Sequence, residues 1–391
     1  MKRLELYFDN AATSWPKPPA VDQSLSLYQR TVGASAGRGA YPRAQASGEI
    51  LSGCRSALAR LMNSPDPRRV IFTLNCSDAL NVAVHGLPWR RGDRALVTPF
   101  EHNSVLRPLH ALKARVGIAI DVMPVDPDGR VRLEKLGSTL RGRTRLVACV
   151  HASNVTGVIQ PVTEVGAFSR RKGIPFLVDA AQSAGAIPID MAAMKIDLLA
   201  FPGHKGLLGP LGTGVLMVSK QIDLDPYRQG GTGSLSEQEI QPDFYPDRLE
   251  TGSHNAPGLL GLWEGVKFIS NRGVGAIRRH ERGVLDQFRE GIGEIPGIRF
   301  LGPSRSADQA AVVSLRFNEE DPRQSAARLW EQSRVMVRAG LHCAPWAHKH
   351  IGTFPNGTFR FSFGPFVTAA HIDRALAALR RLETPSLRTK R

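Results

Sequence analysis

Lys205 lies in the run D-L-L-A-F-P-G-H-K-G-L-L-G-P, residues 197–210, where an apolar stretch ends in a Pro-Gly-His-Lys turn flanked by glycines. A lysine on the lip of a buried strand can lose hydration, drop in pKa and form a Schiff base with an aldehyde. Upstream, F-L-V-D-A-A-Q-S-A-G, residues 176–185, puts Asp179 at the end of another strand with Gln182 behind it. A buried acid together with a Schiff-base lysine is the pair that pyridoxal phosphate requires. The acid keeps the pyridine nitrogen protonated, which makes the ring an electron sink.

Other residue types complete such a site. V-I-F-T-L-N-C-S-D-A-L-N, residues 70–81, reads as strand, tight turn and helix, with Ser77 as the N-cap. The amides of Cys76, Ser77 and Asp78 would then face an anion such as a phosphate; a capped helix without a ligand has the same pattern. His102, in P-F-E-H-N-S-V-L, follows a strand and could stack on a ring and move protons near neutral pH. His151-Ala152-Ser153-Asn154 brings polar groups to another strand end, Asn154 could donate to a carboxylate, and His204 could reach a phosphate. Cys343, in the loop-like V-R-A-G-L-H-C-A-P-W, is the candidate nucleophile, with Arg338 and His342 placed to favour its thiolate. Arg360 alternates with phenylalanines in G-T-F-R-F-S-F-G as though it projects from a strand, which suits a bidentate grip on a carboxylate. Cys54 and Cys149 read as core residues.

These residues need a scaffold of buried strand ends. Expected strands are 69–73, 94–98, 118–125, 145–151, 175–179, 197–201 and 214–218, with helices at 77–85, 103–115 and 162–172. Uniformly apolar strands such as L-V-A-C-V imply an α/β fold: a mainly parallel seven-stranded sheet with helices on both faces. In such sheets ligands gather at the carboxyl ends of the strands. After about residue 255 the pattern changes to longer helices and separated strands at 311–317 and 358–363, with helices at 324–332 and 369–382. The expected division is an N-terminal segment 1–20 packing on the small domain, a large domain 21–256, and a smaller α+β domain 257–391 carrying the cysteine loop.

Length and composition set bounds. The chain of 391 residues, 42% hydrophobic and 22% charged, can bury two cores. No apolar run spans a bilayer and no signal-peptide pattern opens the sequence, so no membrane role is expected. Four scattered cysteines without metal-ligand spacing point to a reduced, cytoplasmic protein with no metal site. The net charge of +16 is spread along the chain without a nucleic-acid-binding motif; an anionic substrate and cofactor, or a biased surface composition, explains it as well, and no nucleic acid is expected. The basic tail 387–391 reads as a frayed terminus. G-P-L-G-T-G, residues 209–214, lacks the G-K-[ST] of a phosphate loop.

Taken in order, D-N-A-A-T (9–13), E-H-N, V-D-A-A-Q-S, G-H-K, R-L-E-T-G-S (248–253) and R-A-G-L-H-C resemble class V aminotransferase-fold enzymes, closest to cysteine desulfurases and selenocysteine lyases. The resemblance runs from Tyr7 to the last helix. It implies the type I fold of pyridoxal-phosphate transferases and a homodimer with composite active sites. By the same resemblance Lys205 would hold the cofactor, Asp179 would pair with its ring nitrogen, Gln182 would bond its hydroxyl, and His102 would stack on it. Ser77, with the Cys76 turn, and His204 would bind the phosphate, joined by Ser253 from the other subunit. Asn154 and Arg360, with Arg338 nearby, would hold the substrate carboxylate. Cys343 would take the sulfur of L-cysteine, to be passed to an acceptor protein; a lyase acting on L-selenocysteine is the alternative. Two positions depart from the family: Pro202 stands where a hydroxyl residue is common, and Cys76-Ser77 where a smaller residue and Thr are common. An aminotransferase or epimerase on the same scaffold, or a non-catalytic binding module, are the competing readings.

Overall fold

A computed structural model describes residues 5–37, 39–317 and 320–383; the basic tail lies outside the described residues. Among the described residues thirteen strands are formed, and they are β1 (Leu6–Tyr7), β2 (Val70–Thr73), β3 (Arg94–Val97), β4 (Ala119–Val122), β5 (Thr144–Val150), β6 (Phe176–Asp179), β7 (Leu198–Pro202), β8 (Gly214–Val218), β9 (Ile298–Leu301), β10 (Val312–Phe317), β11 (Val335–Met336), β12 (Arg338–Gly340) and β13 (Thr358–Ser362). The large sheet has the order β2-β8-β7-β6-β5-β3-β4. Only β8 runs against its neighbours, so the expected seven-stranded, mainly parallel α/β sheet is present.

Apart from the edge strand β4, its strands are buried on both faces because successive side chains feed two different cores. Val147, Cys149, Phe176, Val178, Leu199 and Phe201 enter one core with helices Pro42–Leu61 and Ala256–Arg272. Leu146, Ala148, Leu177, Leu198 and Ala200 enter the other, with helices Cys76–His85 and Asn103–Val116. This period-two division is why the strands read as unbroken apolar runs. Cys54 and Cys149 sit fully buried in the first core, as expected.

The second sheet, β12-β13-β10-β9, is antiparallel. Phe288, Phe359, Phe361 and Phe363 centre its core, between helices Val274–Gly293 and Ala369–Glu383. Leu6 and Phe8 join that core, and β1 pairs in parallel with β11. Helices Pro19–Thr31 and Pro42–Leu61 were not expected from the sequence. The second buries Ile50, Leu51 and Leu58 among the small residues Ala44, Ser47, Cys54, Ala57 and Ala59, which thin its apolar stripe.

Candidate active site

The chain leaves β2, β3, β5, β6 and β7 at one edge of the large sheet, and each exit carries a site residue. Asp179 is the last residue of β6, paired with Ala200 of β7, and Lys205 follows β7 by three residues. The lysine turn is pressed onto the chain after β6: a Cβ on Gly206 would lie 2.4 Å from the Ala184 carbonyl oxygen, so glycine is required after the lysine. The carbonyl of His204 accepts from the Ser14 amide (3.1 Å), Thr13 Oγ1 (3.1 Å) and Lys17 Nζ (2.8 Å). The N-terminal segment thereby fixes the peptide that precedes Lys205.

A pocket of about 120 Å³ opens at this edge, lined by Cys76, Ser77, His102, Asn154, Asp179, Gln182, His204 and Lys205 together with Asn75, Ser104 and Pro202. Burial dominates its electrostatics. It pushes the Lys205 amine below its ordinary pKa, with the Arg360 and Arg338 charges acting in the same direction. It raises the Asp179 carboxyl, against the lowering effects of the Ala181 amide bond (2.9 Å) and of Lys205. Both groups are driven towards neutrality, the state in which an amine can act as nucleophile or base.

Several side chains sit differently from expectation. The N-cap of helix Cys76–His85 is Asn75, whose side chain accepts from the Asp78 amide at 3.0 Å, so Ser77 lies inside the first turn. Asparagine caps as well as serine, and the nearer candidate to the strand prevails. Ser77 Oγ instead meets Ser104 Oγ at 2.6 Å. The Cys76 thiol itself reaches the pocket, 3.8 Å from Asp179 Oδ1, and burial pushes its pKa well up. His102 is no free loop residue: it caps helix Asn103–Val116, and its Nδ1 accepts from the Ser104 amide at 3.0 Å. A ring accepting at Nδ1 carries its proton on Nε2. Burial, then the Lys205, Arg107 and Arg360 charges, push its pKa down to about 4, so it does not titrate near neutral pH. His204 is likewise pushed down to about 4 by burial and then by Lys205 and Lys17, and its buried Nδ1 has no hydrogen-bond partner among the described residues.

Cys343 is exposed, in a turn where both His342 and Cys343 adopt positive φ (48° and 57°). It lines an open groove with Ser77, His102, Ser104 and Arg107, continuous with the pocket through the shared Ser77, His102 and Ser104. The turn is pinned from the large sheet's side, where the Asn103 amide donates to the Cys343 carbonyl (2.8 Å) and Asn154 Nδ2 to the His342 carbonyl (2.6 Å). The His342 ring points inward, with Nε2 3.1 Å from Thr358 Oγ1, and burial holds it neutral, so it brings no positive charge to the cysteine. Arg338 stands on β12 rather than in a loop, and opposite it on β13 is the buried Arg360. Arg360 donates to the Asn154 carbonyl (2.9 Å) and to Asp9 Oδ1 (3.0 Å), while Asp9 Oδ2 accepts from Arg338 Nε (3.1 Å). Ser253 is not in this chain's pocket; it lines a separate depression with Thr73, Leu74 and Arg228.

Sequence reasoning missed Asn75, Ser104, Asp9 and Glu101. Glu101 is fully buried, accepts from Thr98 Oγ1 (2.6 Å) and the Val150 amide (2.8 Å), and is pushed up to about 7 by burial. Glu101 and Ser104 lie inside the E-H-N-S run that drew attention to His102, and Asp9 lies in D-N-A-A-T. The donor set fits pyridoxal phosphate. Lys205 Nζ makes no hydrogen bond or ion pair among the described residues, a buried acid faces the same pocket, and His204 Nδ1 is unpartnered.

The sequence profile described as Aminotransferase class-V matches residues 6–375. The chain is 33% identical to a probable cysteine desulfurase of Pyrococcus abyssi, over 96% of this chain and 94% of that one. It is also 33% identical to a probable cysteine desulfurase of Methanothermobacter thermautotrophicus, over 95% and 93%. Among solved structures it superposes on the apo cysteine desulfurase of Thermococcus onnurineus with a TM-score of 0.91 at 33% identity, covering 97% of this chain and 94% of that one. A cysteine desulfurase of Escherichia coli gives a TM-score of 0.87 at 25% identity, covering 96% and 94%.

Proposed function

Because this chain belongs to the class-V aminotransferase family, we propose that it is a pyridoxal-phosphate-dependent cysteine desulfurase that moves the sulfur of L-cysteine onto Cys343 and releases L-alanine. The observation that carries the reading is the convergence of Lys205, Asp179 and His102 on one pocket whose outer groove ends at Cys343. When bound, the cofactor supplies an electrophilic aldehyde and an electron-withdrawing ring. Lys205 is the residue to hold it, Asp179 to face the ring nitrogen, Gln182 the ring hydroxyl, and the Cys76-Ser77 turn with His204 the phosphate. The neutral His102 ring offers an uncharged stacking face.

Lys205 Nζ, kept poor in charge by burial, is the base for the substrate Cα proton. Arg360, Arg338 and Asn154 orient the substrate carboxylate. Cys343 Sγ then bonds to the substrate sulfur as the substrate's carbon–sulfur bond breaks, leaving a persulfide on the protein. Exposure of Cys343 suits onward transfer to an acceptor protein. We further propose a cytoplasmic homodimer, with domains 21–256 and 257–391 and segment 1–20 packing on the latter. Ser253 lies beside the exposed Leu74, and Leu211 is also exposed, which suits a subunit interface that delivers Ser253 to the other pocket.

The test is the intact mass of the cofactor-loaded protein after L-cysteine. A gain of about 32 daltons, one sulfur, is expected on Cys343. Cys343→Ser should lose the gain and keep the visible absorbance of the loaded protein; Lys205→Ala should lose the absorbance itself. Absence of the adduct on the wild-type protein, or its survival in the cysteine variant, would overturn the assignment. L-Selenocysteine in place of L-cysteine separates the two substrates by rate.

A further inference from the structure

We propose that His342 is a positioning residue for sulfur capture: its buried ring anchors the Cys343 turn to the loop that holds Asn154, and so keeps the thiol in register with the carboxylate grip. The inference rests on the reading of Cys343 as the sulfur acceptor and of Asn154 and Arg360 as carboxylate ligands. His342 and Cys343 are two successive residues in the left-handed region, at φ 48° and 57°. Residues with a Cβ do not hold that conformation unaided, so surrounding contacts must fix it.

Counting protons decides the direction of the hydrogen bonds around the ring. Ser314 Oγ donates its one proton to the Val155 carbonyl at 2.6 Å, so towards Thr358 Oγ1 it accepts, at 3.0 Å. The single proton of Thr358 Oγ1 is committed there, and towards His342 this hydroxyl accepts in turn. The ring therefore carries its proton on Nε2 and donates at 3.1 Å. Burial, and then the Arg360, His348 and Arg338 charges, keep the ring neutral, which leaves Nε2–H as its one donor. Thr358, Ser314 and Val155 are fully buried, so no solvent competes for these links. His348, with ring centroids 5.7 Å apart from His342, is engaged with Thr353 Oγ1 at 2.7 Å and stands outside the chain.

The far end of the chain gives the anchor its function. Val155 follows Asn154, whose Nδ2 donates to the His342 carbonyl at 2.6 Å and whose own carbonyl accepts from Arg360 Nη1 at 2.9 Å. His342 is thus tied twice to one loop, through its carbonyl and through its ring, and the same loop carries the Arg360 contact. Cys343 is the next residue, and it cannot shift relative to the carboxylate subsite without breaking one of these links. Lys205 takes no part in the chain, so removal of the Cα proton does not depend on it.

Thr358→Val removes the hydroxyl at constant shape, Thr358→Ser retains it, and His342→Phe keeps an inward ring without a donor. Two rates of the holoenzyme are compared. Alanine release from L-cysteine needs Cys343; exchange of the Cα hydrogen of L-alanine with deuterated water needs Lys205 and not the thiol. In Thr358→Val and His342→Phe alanine release should fall about ten-fold or more, the scale on which a misplaced reacting group loses rate. The Cα exchange should stay at the wild-type rate in both, and Thr358→Ser should retain both activities. A second measurement uses the protein without cofactor: amide hydrogen exchange, read by mass spectrometry, over residues 341–344, where the Ala344 amide donates to the Leu341 carbonyl at 2.9 Å. It should quicken in the two disruptive variants and not in Thr358→Ser. Parallel loss of alanine release and Cα exchange would make His342 merely structural and overturn the proposal. So would unimpaired alanine release in both disruptive variants, or an equal loss in Thr358→Ser. Should the wild-type protein release no alanine from L-cysteine, the desulfurase reading fails, and the amide exchange still decides whether the ring holds the turn.

Discussion

Burial, rather than paired charge, sets the protonation of the side chains around Lys205. His102 shows this best. A histidine on a solvated loop titrates near pH 6.5, but here Nδ1 is committed to the Ser104 amide and burial pushes the ring down to about 4. An NMR titration of the ring protons should therefore show one neutral Nε2–H tautomer down to about pH 5 and a midpoint near 4. A midpoint near 6.5 would mean the ring is solvated and the cap absent. Strand-end positions such as Asp179 and Lys205 are legible in sequence because an apolar run fixes where the edge of the sheet lies. The direction of a turn side chain is not. His342 neighbours Cys343 in sequence, but positive φ at both residues sends the imidazole inward to Thr358 while the thiol stays exposed. Asn75 and Ser77 are equally good caps by composition, and only the backbone decides between them.

Elements are set by packing, and one buried ion pair ties together two that frame the pocket. Glu250 accepts from the Phe72 amide of β2 at 2.6 Å and from Arg55 Nη1 and Nη2 at 2.7 and 2.5 Å; Arg55 lies over the Phe72 ring. The pair fixes the segment leading to Ser253 against the strand that feeds the Cys76 turn. Removing one partner strands the other charge in the core, at a cost of about 3–5 kcal/mol. Glu250→Ala should lower the urea midpoint accordingly, and should loosen cofactor binding more than a surface substitution such as Glu237→Ala. A midpoint within error of wild type would show the pair to be dispensable. The seven main strands were readable because both faces are buried. The two-residue strands β1 and β11 have no pattern to read: they exist because Leu6 and Phe8 drop into the aromatic core around Phe288 and Phe361.

At the scale of the whole molecule, buried titratable groups of both kinds make stability depend on pH in opposite directions. His102, His151, His204 and His348 are each pushed down to about 4, chiefly by burial. The unfolded chain takes up their protons near pH 6.5 and the fold resists until about 4, so these residues lower stability as pH falls through that window. Glu281 behaves conversely. It lines a small cavity with Ser14, Gln182, Ala310 and Pro365, has no hydrogen bond or ion pair among the described residues, and burial pushes it up to about 8. Folded, it keeps its proton while the unfolded chain gives one up above pH 4.5, so its contribution is complete below 4.5 and is lost as pH rises to about 8. Glu281→Gln has no proton to lose. Its urea midpoint relative to wild type should therefore climb steadily between pH 5 and 7.5, by the equivalent of about 1.4 kcal/mol per pH unit. Above about 8 the difference should level off. A constant offset across that range would mean Glu281 is ionised in the folded protein, with a counter-charge or water filling the cavity that now leaves it bare.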